Sequence, residues 1–131
     1  MKNIITLFGL TMLLLFTACK DKTVAQEVSV IAPQEFEMAI SKNKVQLLDV
    51  RTSEEFEAGH IANAVNIDVL QDDFTSKIKD LDPKEPVYLY CRSGRRSEKA
   101  STILKGLGFE EIYDLKGGFL NWESEGLEVE K

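Results

Sequence analysis

Apolar and polar positions change period along this chain often enough to mark out alternating strands and helices. Val28 to Ile31 is a short run of strand type, and Ala32-Pro33-Gln34-Glu35 opens a helix with proline in its first turn, where a missing N–H removes no helical bond. Phe36, Ala39 and Ile40 then recur on one helical face. Val45 to Val50 (Val-Gln-Leu-Leu-Asp-Val) is too continuously apolar for a half-exposed strand and fits a central parallel one. Thr52-Ser53-Glu54-Glu55 predicts a capped helical turn ending at Gly59. Ala64 to Ile67 predicts a third strand, and Leu70 to Lys79 a helix that Asp82-Pro83 terminates. Pro86 sets up a fourth strand, Val87-Tyr88-Leu89-Tyr90, which delivers Cys91. A glycine-containing loop then leads to a helix from Ser97 to about Leu107, with Gly108 past its end. Glu111 to Leu115 is a fifth strand, and Gly117-Gly118-Phe119 enters a last short helix containing Trp122. This alternation predicts an α/β fold of three layers, α/β/α, built on a five-stranded parallel sheet.

The first residues break the pattern. Lys2, an apolar stretch from Ile4 to Phe16 and the small pair Thr17-Ala18 ahead of Cys19 have the layout of a signal peptide over residues 1–18. The stretch is too short to span a bilayer, which takes about 20 residues. Leu15-Phe16-Thr17-Ala18-Cys19 resembles the bacterial lipobox, in which the cysteine becomes the lipidated first residue of the mature chain. Residues 19–27 are then the lipidated cysteine and a polar tether, and 28–131 the folded domain. The expectation is an exported lipoprotein held to a membrane of the bacterial cell envelope by several acyl chains, on its periplasmic side or at the surface.

At 131 residues there is room for one catalytic domain. The net charge of −6 disfavours nucleic acid as a partner and makes a local basic cluster informative. With Cys19 acylated, Cys91 is the one remaining thiol of two cysteines, so no structural disulfide is expected. His60 is the only histidine and cannot form a metal cluster alone; a loop-stabilising role is expected of it. No metal is implied. Asp49 and Arg51, flanking the end of a buried strand, are expected to pair or to bond backbone as structural support. The Glu-rich end reads as a solvated face.

The chemistry concentrates in Cys91-Arg92-Ser93-Gly94-Arg95-Arg96-Ser97, where an apolar strand gives way to a helix, the position at which open α/β sheets bind ligands. A loop that folds back there aims backbone N–H groups at one point, and the following helix adds the positive end of its dipole. A lone cysteine at a strand end is generically a small buried hydrophobe. Three arginines within five positions of it have no use in a core, and they predict a thiol that ionises readily to its nucleophilic form. Ser97 is expected to cap the helix and to donate to an anion held in the loop, and Arg95 to face solvent.

Three motifs in order resemble the rhodanese family over nearly all of residues 28–127. They are Leu47-Leu48-Asp49-Val50-Arg51 with Glu55-Phe56 and Gly59-His60-Ile61; Tyr88-Leu89-Tyr90 with Cys91 to Ser97; and Leu115-Lys116-Gly117-Gly118-Phe119 with Trp122. The resemblance implies a rhodanese-like sheet between helices. It also implies a sulfurtransferase in which Cys91 takes a sulfane sulfur from an anionic donor such as thiosulfate and passes the persulfide sulfur to a thiol or cyanide acceptor, with no cofactor. Arg92, Ser93, Gly94, Arg95, Arg96 and Ser97 match the substrate-binding loop. A non-catalytic sulfur carrier or binding module of the same fold is the competing reading. Ala62-Asn63 stands where the family commonly has Pro-Gly. Phosphatases sharing this fold carry an arginine six residues after the cysteine; Ser97 stands there, and Arg96 comes one place early, leaving a loop suited to one sulfur atom rather than a phosphate.

Overall fold

The computed structural model describes residues 26–131. The signal segment expected over 1–18, Cys19 and all but the end of the tether lie outside the described residues. Five strands, β1 (Glu27–Ile31), β2 (Gln46–Asp49), β3 (Val65–Asn66), β4 (Val87–Tyr90) and β5 (Glu111–Leu115), form one all-parallel sheet in the order β1-β5-β4-β2-β3. Five helices connect and cover them: α1 (Pro33–Lys42), α2 (Ser53–Ala58), α3 (Phe74–Ile78), α4 (Arg95–Gly106) and α5 (Gly118–Ser124).

The period-two alternation of the strands divides the core between the two faces of the sheet. Leu48 of β2, Val87 and Leu89 of β4 and Ile112 of β5 pack with Phe74, Ile78, Ala100 and Leu104 of α3 and α4. Leu47, Tyr90 and Leu115 from the same strands pack with Phe36, Phe119 and Trp122 of α1 and α5. Cys91 continues the alternation of β4, so its side chain joins the α4 face and Tyr90 the α5 face.

Three expected elements are shorter than their patterns: β2 lacks Val45 and Val50 at its ends, and the other two lose a larger share of their length. The third strand contributes only Val65 and Asn66 to the ladder. As an edge strand it has one partner, and the Asn66 amide leaves the regular pattern to donate to the carbonyls of Asp49 and Arg51. The helix expected over Leu70–Lys79 is confined to Phe74–Ile78. Its first residues are drawn into turns instead: the Asp68 carboxylate accepts the Leu70 N–H at 2.9 Å, and the Asp68 carbonyl accepts from Gln71. The Ala62-Asn63 turn keeps its shape because Asn63 adopts φ 66°, a left-handed conformation that asparagine tolerates better than most residues.

The chain leaves β2 outward to β3 but leaves β4 in the opposite direction to β5, so the direction of winding reverses between β2 and β4. A crevice opens at such a reversal, outside the carboxyl ends of the two strands. Arg51, just past β2, is 3% exposed. Its guanidinium donates to both oxygens of the fully buried Asp49 carboxylate, the shortest contact being 2.6 Å, and to the Gly59 carbonyl at 2.7 Å. Burial works against the Arg51 charge, but the hydrogen bonds and charge of Asp49 outweigh it and raise its pKa. Asp49→Ala should strand this cation in the core and cost about 3–5 kcal/mol, measured as a fall in the urea midpoint. A loss under 1 kcal/mol would mean the pair contributes nothing beyond a surface ion pair.

Candidate active site

Cys91 lies at the crevice, directly after β4, and is 1% exposed. From here the backbone bends back on itself. Gly94 adopts φ 113°, which a side chain would oppose although nothing crowds the space a Cβ would fill. The consequence is that the Gly94 N–H turns inward and donates to the Cys91 sulfur at 3.0 Å. The α4 helix begins at once, at Arg95, two residues earlier than expected. Ser97 therefore sits inside the first turn and does not cap it: its hydroxyl donates to the Gly94 carbonyl at 3.1 Å and lies 3.4 Å from the Cys91 sulfur, whose thiol donates to it. Gly94 occupies the cap position with no side-chain bond.

The second motif is held against this loop by the third. The Phe119 N–H donates to the Cys91 carbonyl at 2.8 Å and the Leu120 N–H to the Arg92 carbonyl at 3.1 Å. A Cβ on Gly118 would come within 2.5 Å of the Arg92 carbonyl oxygen, so a side chain there would displace the loop. Because trans peptides are planar, anchoring these carbonyls toward α5 points the N–H groups of Arg92 and Ser93 away from it. Arg51 stacks 4.1 Å from the centre of the Phe119 ring and 5.5 Å from that of Tyr90, which ties the end of β2 to the start of α5.

The three arginines divide. Arg92 and Arg95 are exposed, with Ser93 between them. Arg96, expected to bear on the thiol together with the other two, makes a bidentate pair with Glu55 of α2 at 2.7 and 2.8 Å. Glu55 was expected only as part of a helix start and a family motif. Its carboxylate closes a capping box with Thr52 and accepts Arg96 as well, a partner 41 residues away that no local pattern announces. The hydrogen bonds from Arg96, foremost, hold the Glu55 carboxyl down at about 2 against burial. Arg96 is raised in turn, and its charge also interacts with Cys91.

His60 stays with the scaffold. Its ring stacks on Phe56 at 3.9 Å, Nδ1 lies 3.0 Å from the Phe56 carbonyl, and its backbone exchanges two hydrogen bonds with Glu130. The Tyr90 hydroxyl accepts the Ile61 N–H at 3.0 Å, a contact the sequence did not suggest. Among the described residues no group of three or more His, Cys, Asp or Glu side chains is placed to hold a metal. A cavity of about 730 Å³ lies beside the start of β2, lined by residues such as Lys44, Gln46, Ile61 and Trp122, and none of Cys91 to Ser97 lines it.

A model of the rhodanese-like domain matches residues 32–125, and the chain belongs to that family. Among curated relatives, YqhL of Bacillus subtilis, an uncharacterized protein, is 43% identical over 88 residues, covering 67% of this chain and 68% of that one. The tRNA uridine(34) hydroxylase of Cytophaga hutchinsonii is 40% identical over 95 residues, which is 70% of this chain but only 30% of the hydroxylase. A rhodanese-related protein from Thermoplasma volcanium superposes with a TM-score of 0.69 at 31% identity, covering 78% of this chain and 97% of that one. A rhodanese-like domain protein from Staphylococcus aureus gives 0.67 at 32% identity, covering 79% and 99%.

The Glu55–Arg96 pair has a pH signature. A carboxyl depressed on folding contributes stability that is complete above its ordinary value near 4.5 and is lost as pH falls through about 2. The Arg96 and Glu55 side chains are 20% and 28% exposed, so solvent screening brings the expected cost of Glu55→Gln at neutral pH to about 1–2 kcal/mol. Urea midpoints of wild type and Glu55→Gln should converge as the pH falls over that window; a gap that stays constant would remove the pair from the acid response.

Proposed function

We propose that the domain is a sulfurtransferase that carries a sulfane sulfur on Cys91. The observation that carries this reading is the inward Gly94 N–H, 3.0 Å from the Cys91 sulfur at the mouth of a twelve-residue helix. An anion on that sulfur gains a fixed donor and the positive end of a helix dipole. The exposed Arg92 and Arg95 beside the loop suit an anionic donor approaching from solvent.

With thiosulfate as donor, the Cys91 thiolate attacks the outer sulfur. A new S–S bond forms, the S–S bond of thiosulfate breaks, and sulfite leaves with the electron pair, so that Cys91 becomes a persulfide. A thiolate or cyanide acceptor then attacks the terminal sulfur, and the Cys91 thiolate departs as the leaving group. The products are an acceptor persulfide or thiocyanate. Gly94 N–H and Ser97 hold the sulfur anion, Arg92 and Arg95 attract the donor, and Arg96 shapes the loop through Glu55. Ser97, not an arginine, stands six residues after Cys91, which disfavours phosphate monoesters as substrates. The hydroxylase relatives share only the portion of their length that matches this domain, and their reaction is not carried over to it.

Thiosulfate treatment should add one sulfur atom to the peptide containing Cys91, seen by mass spectrometry, and thiosulfate:cyanide turnover should vanish in Cys91→Ala. Arg92→Ala should lower turnover about 10-fold, mostly through weaker donor binding, equivalent to about 1.4 kcal/mol. An accessible Cys91 that takes up no sulfur would overturn the assignment; uptake without turnover would make the domain a sulfur carrier.

We also propose that Cys19 is lipidated after removal of residues 1–18 and holds the domain at a membrane of the cell envelope. Cys19→Ala should move the protein from the membrane to the soluble fraction or leave the leader uncleaved. Identical partitioning of both forms would contradict the anchor.

A further inference from the structure

Behind the loop lies a carboxyl group that the sulfur chemistry leaves unused. Asp114 of β5 shares the α4 face of the sheet with Ile112, is 5% exposed, and has a fully buried Oδ1 without a hydrogen-bond partner. Ser101, one turn beyond Ser97 on α4, is 2% exposed and its hydroxyl is likewise buried and unpartnered. A valine would fill position 114 without stranding an oxygen, so an unpaired carboxyl under this helix is costly and calls for a reason. The groups that face it are few. From α4 come the Ser97 hydroxyl, which favours the charged form of the carboxyl, and Glu98, whose charge opposes it. From the strands on either side come Leu89 of β4 and Val30 of β1, both apolar. Burial is the largest influence and pushes the Asp114 carboxyl up to about 6.

Ser97 thus stands between Asp114 and Cys91 with one hydrogen to give. In the thiol form the Cys91 S–H donates to Ser97 Oγ, and the Ser97 hydroxyl donates to the Gly94 carbonyl. When the sulfur is an anion it needs that hydrogen. A carboxylate at Asp114 competes for it. A protonated Asp114 does the reverse, donating its own hydrogen to Ser97 Oγ and freeing the Ser97 hydroxyl to turn toward sulfur.

We propose that Asp114 is a positioning residue for Cys91, its protonation deciding, through the single hydroxyl of Ser97, whether the sulfur anion receives a second hydrogen bond. The proposal rests on the sulfurtransferase reading only in taking Cys91 as the reacting nucleophile. It gives the site two coupled titrations in which ionisation of Asp114 makes the Cys91 anion harder to form.

The test is the rate of Cys91 alkylation by iodoacetamide against pH, read on the Cys91 peptide, together with the Asp114 carboxyl titration followed by carbon-13 NMR. In wild type the logarithm of the rate should rise with pH, flatten around 6 as Asp114 ionises, and then resume its rise. Asp114→Asn should rise without the flattening and be about 3-fold to 10-fold faster than wild type at neutral pH. In Ser97→Ala, Asp114 should still titrate while the flattening disappears, and this variant carries the test if Asp114→Asn does not fold. A merely structural role would scale rates alike at every pH. Flattening that survives in Asp114→Asn, or an Asp114 that titrates with no effect on alkylation in wild type, would overturn the proposal. Iodoacetamide delivers no sulfur, so failure of thiosulfate to load Cys91 leaves this measurement intact.

Discussion

The buried guanidinium of Arg51 is the constraint on which the rest of the site depends. It is bonded to Asp49 at the end of β2 and to Gly59 past α2, and it lies against Phe119 at the start of α5. Phe119 and Leu120 in turn hold the carbonyls of Cys91 and Arg92. The shape of the loop from Cys91 to Ser97 is therefore set by a chain of contacts that starts at a different strand. A buried ion pair contributes little net stability over apolar residues of the same volume, but it punishes any rearrangement that separates its members. Rigidity of this kind is what a preorganised anion receptor requires.

Within that frame the loop works mainly with backbone. The donor closest to sulfur is the Gly94 amide, and its orientation comes from a left-handed φ that glycine adopts without strain. Arginine charge is distributed around this centre rather than concentrated on it. Arg96 is spent on Glu55, leaving Arg92 and Arg95 exposed to solvent and to salt. In the proposed reaction, electrostatic attraction and nucleophile stabilisation thus fall to different atoms.

Much of the architecture was legible in the sequence because strands here are short apolar runs with clear punctuation. Glu111 to Leu115, bounded by Gly108 and Gly117, has the same limits in the fold as in the pattern. The errors have local physical causes. Ser97 resembles a helix cap, yet the helix starts earlier because Gly94 can turn the chain without one. Leu70 to Lys79 carries helical periodicity, yet the Asp68 side chain captures its first residues in a turn. The Glu55–Arg96 pair was beyond reach, since nothing in a window around either residue reports a partner 41 positions away. Asp114 was within reach: strict alternation puts it on the same face as Ile112, an acid at an inward position of a core strand.

Helix α2 buries none of its residues. It is attached at both ends: the Glu55 carboxylate closes the capping box and receives Arg96, and past its last residue the Gly59 carbonyl accepts from Arg51. Because no residue of it is buried, opening this helix would expose less apolar area than opening the sheet. Its opening has an electrical consequence that global unfolding would conceal. Any opening that parts Arg96 from Glu55 would leave an unpaired cation whose charge reaches Cys91, so the field at the sulfur is tied to the closure of a helix distant in the sequence.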